Sequence, residues 1–245
     1  MRTVTLASGL VMRSYRPEDA SALLVAIDAD RERLAQWMPW VPYSTTVADF
    51  AAFISGSHRQ EESGTAFHRG LFDDQVVAGG CGASVDLVNR EAEVGYWLGA
   101  AYEGRGIIGE SVRSLLHFLF DDYEVHRVVI RAAVGNVRSR AVAERLGFTL
   151  EGIQREALML DEIPTDAAMY SMLAGEWRNR KSRERVAVSG IGYRVSGSCS
   201  LSVRRSQSRW SGRSSGRHPL RPDTRCAGPG GGCGRRCPGG CRGGA

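Results

Sequence analysis

An apolar strand-like run, Gly95-Tyr96-Trp97-Leu98, gives way to Tyr102-Glu103-Gly104-Arg105-Gly106-Ile107-Ile108-Gly109-Glu110, where an amphipathic helix begins. Glycines at 104, 106 and 109 allow a tight turn and let the bare backbone approach a ligand. A helix start adds unpaired N–H groups and the positive end of the helix dipole. Strand, glycine loop and helix N-terminus together predict an anion site suited to a pyrophosphate.

The flanking sequence reads as mixed α and β. Residues 10–14 form a short strand, and Pro17-Glu18-Asp19 opens a helix to about Asp28, with proline and acids in its first turn. Residues 34–40 are aromatic and broken by Pro39, and 47–63 form a helix with Phe50, Phe53 and Ile54 on one face. Strands at 65–72 and 75–85 meet at Asp73-Asp74, and another at 92–98 follows the Asn89-Arg90 turn. Ile108, Val112, Leu115, Leu116 and Leu119 stripe a helix over 106–122. A β-branched strand at 127–134 follows. Asn136 then caps a helix that Gly147 ends, and 148–158 with 166–173 close the sheet. Strands cluster before and after the glycine loop, so the expected class is α+β.

The 245 residues suffice for one sizeable core, and their formal charge of +5 hides a division. Residues 186–245 hold 11 Arg and one acid, Asp223, leaving 21 basic and 26 acidic residues in 1–185. Periodic apolar patterning stops near Trp177. The expected organisation is therefore a domain at 1–178 and a basic Gly/Arg/Ser/Cys-rich tail at 179–245, disordered or foreign to the fold. The chain has 31 Arg and one Lys, Lys181, the mark of a GC-rich gene; out-of-frame translation of such DNA gives a tail of this composition.

Cysteines divide in the same way. Cys81 is alone in the first part, while Cys199, Cys226, Cys233, Cys237 and Cys241 lie in the tail. The two C-x3-C spacings have no accompanying His at finger spacing, so no metal is expected. With no signal-like start and no bilayer-length apolar run, a soluble cytoplasmic protein without membrane contact is the expectation.

Glu103-Gly-Arg-Gly-Ile-Ile-Gly-Glu110, followed by Asn136-Val-Arg-Ser139-Arg-Ala-Val-Ala-Glu-Arg-Leu-Gly147-Phe148, resembles the acetyl-CoA motifs of the GNAT superfamily of N-acetyltransferases. Leu34–Trp40 and Glu93-Val-Gly-Tyr-Trp-Leu98 narrow the resemblance to the ribosomal-protein N-terminal acetyltransferases of RimJ/RimL type. It covers roughly residues 8–178. The resemblance implies a GNAT fold: a central mixed, mostly antiparallel sheet flanked by helices and splayed into a V where acetyl-CoA binds. Leu98, Glu103, Gly104, Arg105, Gly106, Ile107, Ile108, Gly109, Asn136 and Ser139 would line the cofactor. Glu103 stands where relatives carry an amide or basic residue, and Ile108 where they carry a small one. Phosphate binding through backbone N–H groups tolerates both changes.

Acetyl transfer to an amine needs a deprotonated amine, a stabilised oxyanion and a proton for the departing thiolate. The resemblance implies that backbone N–H groups near Leu98 polarise the thioester carbonyl. Many relatives place a Tyr near the sulfur, but the matching position here is Ala143. Ser139, one turn past Asn136, is the group assigned there, against the plainer reading of a first-turn serine bonded within its helix. Glu93 is the expected base, directly or through water, against the plainer reading of a strand-edge carboxylate paired with Arg90. Asp86 is a weaker rival. Trp37 and Trp40 divide evenly between acceptor pocket and core. Cys81 reads as packing, and His117 and His126 as surface or helix-end residues.

The expected activity is transfer of acetyl from acetyl-CoA to a protein N-terminal amine, ribosomal in the first instance, by direct attack in a ternary complex. The rivals are acetylation of a small amine, including an antibiotic, and a non-catalytic acyl-CoA-binding module. A nucleic-acid binder acting through the tail ranks last, because few aromatics there could stack bases. A homodimer is left open.

Overall fold

A computed structural model describes residues 2–189. The expectations for 190–245, including the origin of the tail and its C-x3-C pairs, lie outside the described residues.

Eight strands form one sheet: β1 (Val4–Thr5), β2 (Val11–Arg13), β3 (Ala66–Asp73), β4 (Val76–Asp86), β5 (Glu91–Leu98), β6 (Arg127–Ala133), β7 (Thr149–Leu160) and β8 (Ile163–Leu173). Their order across the sheet is β1-β2-β3-β4-β5-β6-β8-β7. Every neighbouring pair is antiparallel except β5 and β6. That parallel pair is in register only at Glu91–Arg127, Ala92–Val128 and Glu93–Val129. Beyond Glu93 the two strands part, so the expected V opens at that residue.

Helices cover both faces. A 3-10 turn at Pro17–Asp19 leads into α1 (Ala20–Asp28); α2 (Arg31–Ala35) and α3 (Val47–Glu62) follow. These pack on one face through Leu23, Ile27, Leu34, Phe50 and Ile54. Helix α3 starts at a reciprocal cap: Asp49 N–H donates to Thr46 Oγ1, while the Asp49 carboxylate accepts from Thr46 N–H. Phe50 and Ile54 are buried, whereas Phe53, expected on the same face, is 40% exposed.

The opposite face holds α4 (Ile107–His117), α5 (Val137–Leu146) and α6 (Ala174–Ser189). The predicted stripe of Ile108, Val112, Leu115, Leu116 and Leu119 is buried throughout. Each such side chain contributes about 1.5–3 kcal/mol on leaving water, so α4 is anchored far more firmly than its glycine-rich entry. The expected helix over 106–122 ends earlier as α-helix, and Phe118–Asp122 form a π-helical turn. Helix α6 continues past residue 178: Arg180 donates to the Leu146 and Gly147 carbonyls, and Lys181 lies 2.7 Å from Asp121 Oδ2. Among the described residues, no helix is long and apolar enough to cross a membrane.

Candidate active site

The glycine loop is built as its sequence requires. Gly104 and Gly106 both have φ of +73°, a conformation side chains rarely adopt, and Gly106 is the N-cap of α4. A Cβ at 104, 106 or 109 would meet nothing within 4 Å, so the backbone faces open space. No side chain caps α4. Its first-turn acid, Glu110, bonds instead to the Ala7 and Ser8 N–H groups and leaves the helix entrance free. Ile107 and Ile108 turn into the core, so at these positions only backbone is available to a ligand. Arg105 lies over the Tyr102 ring at 5.5 Å, keeping a cation beside the loop.

These features suit a pyrophosphate: open N–H groups at a dipole end, a bare backbone and one flanking guanidinium. Beyond Glu93, β5 has no β6 partner, so its backbone along the V is available to the rest of an extended cofactor. Asn136 accepts from Ser139 N–H at 3.1 Å and so serves as the cap of α5. Gly147 closes that helix with φ of +74°.

Ser139 does more than bond within its helix. Its Oγ lies 3.0 Å from the Tyr96 hydroxyl, which also donates to the Ser139 carbonyl at 3.0 Å. Tyr96 therefore ties β5 to α5 across the V. Burial pushes its phenol up to about 12, so it remains a protonated donor at neutral pH. Sequence reasoning did not assign Tyr96. The signal was the period-two alternation: Ala92, Val94 and Tyr96 share one strand face, toward α4 and α5.

Glu93 is held by Arg131, with Nε at 2.9 Å and Nη2 at 2.8 Å from its two oxygens. The ion pair is with this β6 residue rather than with Arg90, whose Nη2 goes to the Glu124 carbonyl. Asp86 is taken by a turn, accepting from Val88 N–H, Asn89 N–H and Asn89 Nδ2. The Asn89 bonds hold its carboxyl below the usual range.

Glu103 joins a bridge over the mouth. Arg33 contacts Glu103 Oε1 at 2.9 Å and the Leu98 carbonyl at 2.8 Å, and Arg138 pairs with Glu103 Oε2. Asp30 completes it, accepting from Arg33 and from Ala100 N–H. Glu103 thus links α2, the glycine loop and α5. Neither arginine was foreseen, because their partners are 70 and 35 positions away.

On the α1–α3 face lies a cavity of about 400 Å³. Glu93, Gly95, Tyr96 and Trp97 of β5 line one side, with Tyr15, Phe50, Phe53, His68 and Trp40 around them. Trp40 is 37% exposed and belongs to this lining. Trp37 does not; it reaches Gly135, at the β6–α5 connection. Burial pushes the His68 imidazole below its usual value, so it is neutral at pH 7. Cys81 is packed, its Sγ 3.6 Å from Met12 Sδ, and burial pushes the thiol up to about 12, far from thiolate. His117 and His126 are at the surface, the former paired with Asp121. Among the described residues, no group of three or more His, Cys, Asp or Glu is placed to hold a metal.

A sheet opened between two parallel strands, with a glycine-led helix at one limb, is the arrangement that the acetyltransferase resemblance implied. The chain belongs to the GNAT acetyltransferase family, whose domain model, described as "Acetyltransferase (GNAT) domain", matches residues 9–149. It is 34% identical to YdaF of Bacillus subtilis (strain 168), provisionally named a ribosomal N-acetyltransferase, over 74% of this chain and all of that one. It is also similar to the structure of RimL, a ribosomal L7/L12 α-N-protein acetyltransferase in complex with coenzyme A. That likeness has a TM-score of 0.68 and 26% identity, over 71% of this chain and 99% of RimL. The acetyltransferase MccE, a microcin C7 self-immunity protein in complex with acetyl-CoA and AMP, has a TM-score of 0.64 at 28% identity, over 67% and 92% of the two chains. The protein is an N-acetyltransferase.

Proposed function

We propose that this enzyme acetylates the α-amino group of a protein N-terminus, a ribosomal protein in the first instance, by direct attack in a ternary complex. The observation that carries the reading is the division of groups about the V. The Tyr96–Ser139 pair lies on the α5 side, and Glu93 lies on the side of the cavity where an acceptor can enter.

Each residue then has a defined task. First-turn N–H groups of α4 and the 104–109 backbone bind the pyrophosphate, with Arg105 adding charge. Backbone N–H groups on the β5 edge near Leu98, which β6 does not reach, face the thioester carbonyl and stabilise the negative charge that gathers on its oxygen. The amine lone pair forms the new C–N bond as the C–S bond breaks, and that electron pair leaves with sulfur. Glu93 takes the amine proton, directly or through water, while Arg131 fixes the carboxylate's orientation. Ser139 Oγ–H, turned from the Tyr96 oxygen toward the departing sulfur, donates a hydrogen bond to the thiolate, which takes its proton from solvent.

Thiol release from acetyl-CoA, measured with ribosomal-protein N-terminal peptides and with small amines, tests the reading. Turnover with peptides is the expected result. Turnover confined to small amines would move the acceptor to that class, and coenzyme binding with no turnover on either would point to an acyl-CoA-binding module.

A further inference from the structure

The cavity is hollowed by glycines on one sheet face. In the β4–β5 register Gly82 pairs with Gly95, Gly80 with Trp97, and Ser84 with Glu93. Alternation puts all six on the side of α1 and α3. Two of these glycines are required by close neighbours. A Cβ at Gly80 would fall 2.6 Å from the Tyr15 hydroxyl and 2.7 Å from Trp97 Nε1, and one at Gly82 would fall 2.7 Å from the Phe67 carbonyl oxygen. Gly95 differs. A Cβ there would meet nothing within 4 Å, and its φ is not in the left-handed region. Neither backbone nor packing requires glycine at 95; its missing side chain is the cavity floor.

Gly95 stands two residues along the same strand face from Glu93, a distance of about 6.8 Å in extended chain, or one residue's reach. An amine held at Glu93 therefore carries its adjoining side chain over Gly95 and under Tyr15, Phe50 and Phe53. The space of about 400 Å³ there is walled chiefly by aromatic and aliphatic groups. An alanine or serine side chain would leave most of it as apolar void, whereas a leucine, phenylalanine or tryptophan side chain would fill it.

We infer that Gly95 sets acceptor selectivity: it keeps open an apolar pocket for a bulky hydrophobic side chain on the carbon bearing the acetylated amine. This rests on the acyl-transfer reading above and narrows its substrate class.

The test uses the full chain and peptides identical except at residue one: Ala, Ser, Leu, Phe or Trp. The Leu and Phe peptides are expected to exceed Ala and Ser in kcat/KM by about 10–100-fold. Gly95→Leu should erase that preference with the acetyl-CoA dissociation constant little changed, and Gly95→Ala should reduce it partway. Equal or better turnover of the Ala and Ser peptides overturns the inference. Calorimetric binding of phenylalaninamide against glycinamide gives a readout without turnover. Wild type should favour phenylalaninamide at least about tenfold, and Gly95→Leu should not. Equal binding of the two by wild type overturns the inference as well. Selective binding without turnover of any peptide would instead sink the transfer reading and leave the pocket's selectivity standing.

Discussion

The Tyr96 hydroxyl and Ser139 Oγ meet at 3.0 Å across the opening between β5 and β6. One residue comes from a strand and the other from a helix 43 positions later, and Tyr96 also holds the Ser139 carbonyl. The pair closes one limb of the V and orients the serine hydroxyl. Ser139→Ala is expected to lower kcat by about 10²-fold while acetyl-CoA affinity stays nearly constant. Tyr96→Phe keeps the hydroxyl donor on Ser139 but loses its alignment, so its loss should be smaller. Because the two act as a unit, the double variant should fall well short of the summed losses, with a coupling of about 0.5–3 kcal/mol. Steady-state kinetics on all four proteins checks this: strict additivity would mean that Tyr96 does not align the serine, and an unchanged kcat in Ser139→Ala would assign Ser139 a purely helical role.

Glu93 and Arg131 are each more than a third exposed, at 38% and 35% of their side chains, so their ion pair contributes little stability. Glu93→Gln should change the unfolding free energy by less than about 1 kcal/mol. If the carboxylate is the base, the same substitution should cost about 10²-fold in kcat/KM. Urea titration and the kinetics together separate the roles. Unchanged turnover in a folded Glu93→Gln protein would transfer the base role elsewhere in the cavity.

Much of this was legible in the sequence, and for physical reasons. The helix stripe from Ile108 to Leu119, the Asn136 cap, the Gly147 stop and the glycine loop are written in short-range spacing, and each is where expected. The family motifs carried the sheet opening, which no local pattern encodes. Less legible were contacts between residues distant in sequence. Glu93 pairs with Arg131, Glu103 with Arg33 and Arg138, and Tyr96 with Ser139. Strand β1 was missed because its two residues carry no periodicity. Trp37 and Trp40 look alike in sequence, yet Trp40 lines the cavity and Trp37 packs at Gly135.

Gly106, at φ +73° and at the N-cap of α4, sets how the glycine loop enters the helix to which we assign the coenzyme phosphates. Gly106→Ala meets no neighbouring atom, so its cost is the left-handed conformation itself, about 1–2 kcal/mol. Relief of that strain would turn the first-turn N–H groups of α4 away from the phosphates. Weaker acetyl-CoA binding is therefore expected along with a lower melting temperature. Gly109→Ala, within the helix and without a positive φ, should melt near wild type. Calorimetry and thermal melts compare the two, and equal effects would remove the conformational argument.

His68 gives the fold a directional response to acid. It faces Phe53 edge-on at 5.3 Å, and burial, with Arg69 beside it, lowers its pKa. Unfolded chain takes up this proton near pH 6.5, while the folded protein resists until lower pH. Between those points the unfolded state binds more protons, so stability falls as pH drops below about 6.5 and is fully present above it. His68→Phe retains the ring contact and cannot be protonated. Its urea midpoint should therefore decline less than that of wild type between pH 7.5 and pH 5.5. Identical declines in the two proteins would mean that His68 is as easily protonated folded as unfolded.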